Sequence, residues 1–312
     1  MKNLAQIVTL VCMTVASSAV AKPDIGFEAK LSDAICLVEA PTNESDRYKP
    51  NRTCLPGGEV YAAQVLEAYR SFPLFVQQEL CSVKFLYIEK QFFGAAWSSP
   101  VEESNPNEMM IGLNQRELDS RLTLDPFLTW FEQLSFGGKT DFSTSQGLPS
   151  ISIRPKGWAS STYLIDTLLH ETGHLVDFRS HFNRSDCKRP DDCQPSAGSW
   201  TEIGWKNEST PKPENDFPDR KFICINSCGS THLDPKEAPK FYRSLYRGGF
   251  VSQLSALNSM EDFAESFSLY VKEKYLGFHT ELDDGQGHHY TSTSTFDSKE
   301  FEAKRNYLEK RF

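Results

Sequence analysis

Apolar and polar positions along this chain follow two periods, and those periods mark its elements. Glu59 to Arg70 carries Val60, Ala63 and Leu66 at helical spacing, and Pro73 to Leu80 continues as a second short helix. Val83-Lys84-Phe85-Leu86-Tyr87-Ile88 is rich in β-formers and reads as a strand, as does Glu108 to Leu113. Pro126 to Leu134 reads as a helix ended by Gly137-Gly138. In Leu148-Pro149-Ser150-Ile151-Ser152-Ile153-Arg154-Pro155, isoleucine alternates with polar residues. That pattern marks a half-exposed strand, and the bounding prolines place it at a sheet edge. Ser160 or Ser161 then caps a helix from Thr162 to about Arg179, with Leu164, Leu168, Leu175 and Phe178 on its buried side. Further helices are expected over Lys236 to Arg247 and over Ser259 to Leu276, the latter with Met260, Phe263, Phe267 and Val271 apolar. Two stretches lack a period. Lys22 to Gly58 is polar and proline-punctuated, an extended lead-in. Gly277 to Thr295 reads as loop before a charged amphipathic helix over Asp297 to Phe312.

The first apolar run is of another kind. Met1-Lys2-Asn3 precedes apolar Leu4 to Val15, and Ala16-Ser17-Ser18-Ala19-Val20-Ala21 follows. A basic start, a short apolar stretch and a small-x-small ending make a secretory signal peptide, with cleavage expected after Ala21. The run falls short of the ~20 residues that a membrane span requires. The chain is therefore expected outside the cytoplasm, secreted or periplasmic, with no membrane span.

Export gives the cysteines a meaning. Of the eight, Cys12 leaves with the signal, and Cys36, Cys54, Cys81, Cys187, Cys193, Cys224 and Cys228 remain. An oxidising compartment favours disulfides, and an odd number leaves one thiol over, with Cys81 the candidate. Cys36 and Cys54 tie down the lead-in. Close spacing makes Cys187–Cys193 and Cys224–Cys228 candidates for local bridges, and it is too wide for the paired C-x2-C of a structural zinc site.

The 312 residues allow one sizeable core plus a smaller unit. They are expected to form a domain over residues 59–312 that contains a Cys-bearing insertion at 182–249. A net charge of −9 argues against a nucleic-acid binder, and the chain is expected to be a monomer.

The chemistry is concentrated on two predicted helices. The first bears His170-Glu171-Thr172-Gly173-His174. One turn apart, the two imidazoles project from the same face with the bite for one Zn²⁺. Glu171 stands beside the first ligand, where its carboxylate can act as general base towards a water. A catalytic zinc has three protein ligands and an open position. A third histidine at metzincin spacing would be residue 180, which is Ser180, and His181 is one position out of register. The better third ligand is Glu261, in Asn258-Ser259-Met260-Glu261-Asp262-Phe263-Ala264-Glu265-Ser266-Phe267. Glu261 and Glu265 share one helix face, the arrangement for one ligand and one partner that orients a ligating histidine.

H-E-x-G-H-x-x-D followed by E-x-F-A-E-x-F resembles the gluzincin metallopeptidases, and most nearly the anthrax lethal factor and proline–proline endopeptidase group. The resemblance covers these two motifs and the order of elements from about Glu59 onward. It implies an α+β, zincin-like fold with a small mixed sheet, an active-site helix and a mainly helical C-terminal lobe. It also implies one catalytic Zn²⁺ on His170, His174 and Glu261, with Glu171 as the base, Glu265 supporting a ligand histidine and Asp177 an acid at the helix end. Members usually carry a tyrosine seven residues before the ligand glutamate, where its hydroxyl stabilises the oxyanion. Here that position is Leu254. Tyr242, Tyr246, Arg247 and His232 are the candidates for that donor.

The expected activity is hydrolysis of a protein or peptide substrate lying antiparallel along the edge formed by Ile151, Ser152 and Ile153. Two alternatives stay open. Leu254 and the insertion would also suit a zinc-bearing binding protein with lost catalysis, and the same site would suit a metallo-amidase acting on a cell-wall peptide.

Overall fold

The computed structural model describes residues 25–92, 94–120, 124–138, 151–157, 163–186, 194–224 and 231–312. The signal-peptide reading, the cap at Ser160 or Ser161, the start of the strand at 148–150 and the cysteines Cys187, Cys193 and Cys228 lie outside the described residues. In chain order the elements begin with helix α1 (Ile25–Ala34), strand β1 (Ile35–Val38) and helices α2 (Ala62–Ser71) and α3 (Leu74–Leu80). Strands β2 (Val83–Glu89), β3 (Ala96–Glu102) and β4 (Asn105–Asn114) follow, then helices α4 (Gln115–Asp119) and α5 (Leu124–Gln133). Next come β5 (Ser152–Lys156), the long helix α6 (Tyr163–Ser180) and the short pair β6 (Ser185–Asp186) and β7 (Gln194–Pro195). Helices α7 (Thr201–Gly204), α8 (Ala238–Arg247) and α9 (Ser259–Val271) precede a hairpin of β8 (His279–Asp283) and β9 (His289–Thr291). Helices α10 (Ser292–Phe296) and α11 (Glu302–Glu309) come last.

The architecture is α+β. The main sheet has the order β1-β2-β4-β3, with β1, β2 and β4 parallel and β3 antiparallel to β4 at one edge. Alternation along β2 sends Leu86 and Ile88 to the main core and Tyr87 to the opposite face. That main core joins the sheet to α2, α3, α6, α9 and α11 through Val65, Val76, Leu168, Phe263, Phe267 and Leu308. Helix α6 is buried along most of its length, its polar Glu171, Thr172, His174 and Asp177 included.

A second apolar cluster gathers the 205–250 region, including Trp205, Phe217, Phe241 and Phe250, onto Ile151, Ile153 and Leu282. The Cys-bearing stretch therefore packs on β5 and β8, which pair antiparallel in a three-stranded sheet, β5-β8-β9. No helix among the described residues is long and apolar enough to cross a membrane.

Two expectations need correction. The lead-in is not extended throughout, because α1 and β1 fold within it, and β1 joins the main sheet beside β2. The 277–295 stretch is not loop: β8, β9 and α10 lie there. The polar His279-Thr280-Glu281-Leu282-Asp283 hides its strand because it is only half buried, with Leu282 the buried member. The Cys36–Cys54 disulfide is formed, and Cys224 is also disulfide-bonded, which removes it as a zinc thiolate. Cys81 stays a thiol, with its Sγ 3.6 Å from the Gln77 carbonyl oxygen.

Candidate metal centre

Two helices build the centre, and one glycine lets them do so. Helices α6 and α9 cross at Gly173, where an added Cβ would stand 2.7 Å from the Ala264 Cα and 3.2 Å from its Cβ. Only hydrogen fits there, so the two backbones come close enough for short side chains to meet. Asn258 caps α9, its side-chain oxygen accepting from the backbone N–H groups of Met260 and Glu261. That cap fixes Glu261 in the first turn, facing α6.

The donor atoms then converge. His170 Nε2 lies 3.1 Å from His174 Nε2, and Glu261 Oε2 lies 3.2 Å and 3.6 Å from those two nitrogens. His170, His174 and Glu261 form a group able to hold a metal ion, all their donor atoms lying within 4.8 Å of one another. A tetrahedral ion with ~2.0 Å bonds needs donors about 3.3 Å apart, which is the spacing found. Glu265 Oε1 lies 2.7 Å from His170 Nδ1 and orients that ring from behind.

Three buried atoms here lack a hydrogen-bond partner: Glu171 Oε2, His174 Nδ1 and Glu261 Oε2. Unpaired polar atoms in a buried site call for a ligand, an ion or water. The electrostatics agree with a place built for positive charge. Burial works against charge on Glu261, yet the His174 and His170 imidazoles hold its carboxylate far below the usual range. Burial likewise opposes protonation of His170, but the neighbouring Glu261 and Glu265 carboxylates raise its pKa well above the ordinary imidazole value. Glu171 is 4% exposed, and burial lifts its pKa although both imidazoles pull the other way.

The centre opens onto a cavity of about 660 Å³ lined by residues of both apolar clusters. Ala96, Trp97 and Ser98 of β3 form one side, and Glu132 of α5, Tyr246 of α8 and Leu254 form others. Trp97 lies over Gly112 of β4, where a Cβ would stand 2.1 Å from the indole nitrogen, so the glycine makes room for the ring. No strand among the described residues pairs with the outer edge of β3.

Several sequence-based site residues fall elsewhere. The β5 edge is closed: the Thr129 hydroxyl lies 2.8 Å from the Ile153 N–H and 3.3 Å from its carbonyl, and Gln133 donates to the Ile151 carbonyl at 2.6 Å. Ile153 still lines the cavity, whereas Ile151 is core and Ser152 does not reach it. Asp177 supports no ligand histidine; it accepts from the Asn183 N–H and side-chain amide, each at 2.8 Å, and fixes the turn after α6. Of the oxyanion candidates, Tyr246 lines the cavity. Tyr242 is buried and donates to Glu132, while His232 and Arg247 are exposed away from the cavity.

Sequence reasoning missed β3 and Glu132. A proline at Pro100 and serines at Ser98 and Ser99 conceal the strand, and a lone acid on a predicted helix gives no signal. No protein-family model matches this chain, nor does any curated protein or solved structure match it significantly.

Proposed function

We propose that the chain is an exported zinc-dependent endopeptidase with the gluzincin arrangement on a zincin-like fold. The observation that carries the reading is the convergence of His170, His174 and Glu261 at tetrahedral spacing, with Glu265 behind His170 and Glu171 buried beside the cluster. His170, His174 and Glu261 would hold the ion. When bound, it polarises a scissile carbonyl and acidifies a water.

The chain's own groups do the rest. Glu171 takes the proton of the attacking water and delivers it to the leaving amine nitrogen, a task helped by burial that favours its protonated form. Glu265 accepts a hydrogen bond from the His170 Nδ1–H, which fixes the tautomer and leaves Nε2 facing the cluster. An extended peptide adds to the outer edge of β3, beside Ser98 and within the cavity that holds Glu171.

Metal analysis and an unbiased cleavage-site profile test this together. Glu171→Gln should keep stoichiometric zinc and lose peptide cleavage; undiminished cleavage by that variant overturns the mechanism. Leu254 in the cavity wall, where a phenol would otherwise stand, favours one competing reading, a zinc-bearing binding protein. Native protein that holds zinc and cleaves no peptide would establish it.

A further inference from the structure

Among the described residues six carboxylates line the cavity, and five are accounted for. Glu261 and Glu265 face the histidines, and Glu171 stands beside them. Asp166 accepts from Lys272 Nζ at 2.6 Å, and Glu44 pairs with Arg47. Glu132 is the sixth. Its Oε2 accepts from the Tyr242 hydroxyl at 2.8 Å and from Gln253 Nε2 at 2.5 Å, both neutral donors. Among the described residues, no hydrogen bond reaches its Oε1 and no cation pairs with it.

We propose that Glu132 is the recognition group for a positively charged side chain, lysine or arginine, that flanks the cleaved bond. The inference rests on the peptidase reading and names its substrate class. Two aromatic rings in the cavity wall suit such a side chain. Tyr246 and Tyr290 both line the cavity with ring centroids 5.2 Å apart, and Tyr246 lies close enough to feel the Glu132 charge. Their faces can carry the aliphatic stem and attract the cation, while Oε1 accepts a charge-assisted hydrogen bond. The remaining wall near β5 is apolar, with Ile153 and Leu282. A buried carboxylate held only by neutral donors is costly, and a substrate cation relieves that cost where a neutral side chain does not. Burial pushes the Glu132 carboxyl up to about 7, consistent with a site that lacks its counter-charge.

The test uses the zinc-loaded full chain and fluorogenic peptides that differ only in arginine or citrulline at each position near the cleaved bond. Arginine should be preferred about tenfold or more in kcat/KM at one position, and in E132Q that ratio should fall to about one. A ratio near one at every position in the native protein, or an unchanged ratio in E132Q, overturns the proposal. Hydrolysis is not the only readout. In the E171Q background, fluorescence anisotropy should show tighter binding of the arginine peptide, and E132Q should abolish the difference. Equal binding of both peptides overturns the proposal independently of cleavage. Selective binding by a native protein that cleaves nothing overturns only the peptidase reading.

Discussion

Gly173→Ala probes the contact on which the candidate metal centre rests. The new methyl would begin 2.7 Å from the Ala264 Cα and 3.1 Å from its carbonyl oxygen, and both are backbone atoms that no rotamer change can withdraw. Ordinary carbon contacts lie at ~3.5–4.0 Å, so α6 and α9 must separate by about 0.8 Å or more. His170 and His174 ride on one helix and Glu261 on the other, so donor separations of 3.2 Å and 3.6 Å would stretch by a similar amount. Zinc sites tolerate about 0.2 Å in ligand distance. Stability should change far less. Overpacking costs about 1–3 kcal/mol, and replacing glycine by alanine within a helix returns about 1 kcal/mol.

The expected result is therefore a zinc affinity at least ~10-fold weaker, with a metal-free melting temperature within about 6 °C of native. Chelator competition measures the first quantity and a thermal melt of the metal-free protein the second. Unchanged affinity in a folded variant would refute the claim that this crossing sets the ligand spacing.

Two further predictions follow from single side chains. Glu265→Gln should weaken zinc binding by about 10–100-fold without unfolding the protein, because it replaces the carboxylate that orients His170; chelator competition checks it, and native affinity would remove Glu265 from the centre. Glu132→Gln should stabilise the protein in a pH-dependent way. Burial raises the Glu132 carboxyl from 4.5 to about 7, so its ionisation in the folded state costs stability that is intact below pH 4.5 and lost as pH rises through 7. At pH 8 the variant should gain about 3 kcal/mol, or about 6 °C in Tm, and near pH 4.5 almost nothing. Equal shifts in thermal melts at both pH values would contradict the buried-acid description.

Much of the scaffold was legible because it follows strong periods. The spacing in Glu59–Arg70 and Ser259–Leu276 located α2 and α9, and the His170–His174 interval placed two imidazoles on one face. The pairing of Glu261 with the histidines was legible too, since two acids four residues apart on an apolar helix invite a positive partner. The open sheet edge beside the cavity was not. Ile151 and Ile153 alternate as an edge strand should, and β5 is indeed an edge, but Thr129 and Gln133 of the preceding helix α5 occupy its backbone groups, and no period in the sequence records that contact. The open edge, β3, has weak alternation because one face of it borders a cavity instead of a core. Glu132 could not be distinguished from a solvated helix acid, since its burial depends on Tyr242 and Gln253, more than a hundred residues away in the chain.

Helix α11 ties back to the ligand helix. Lys304, 2% exposed, donates to Asp262 Oδ1 at 2.6 Å and to the Gly249 carbonyl at 2.7 Å, and Trp205 Nε1 donates to the other Asp262 oxygen at 2.9 Å. Asp262 directly follows Glu261. During synthesis, therefore, His170, Glu171, His174 and Glu261 all emerge before the cation that neutralises the helix presenting Glu261. A chain interrupted short of Lys304 would hold every donor of the centre yet leave a buried aspartate uncompensated. Correct seating of the helix that presents Glu261 thus depends on a side chain contributed by the last helix, more than forty residues downstream.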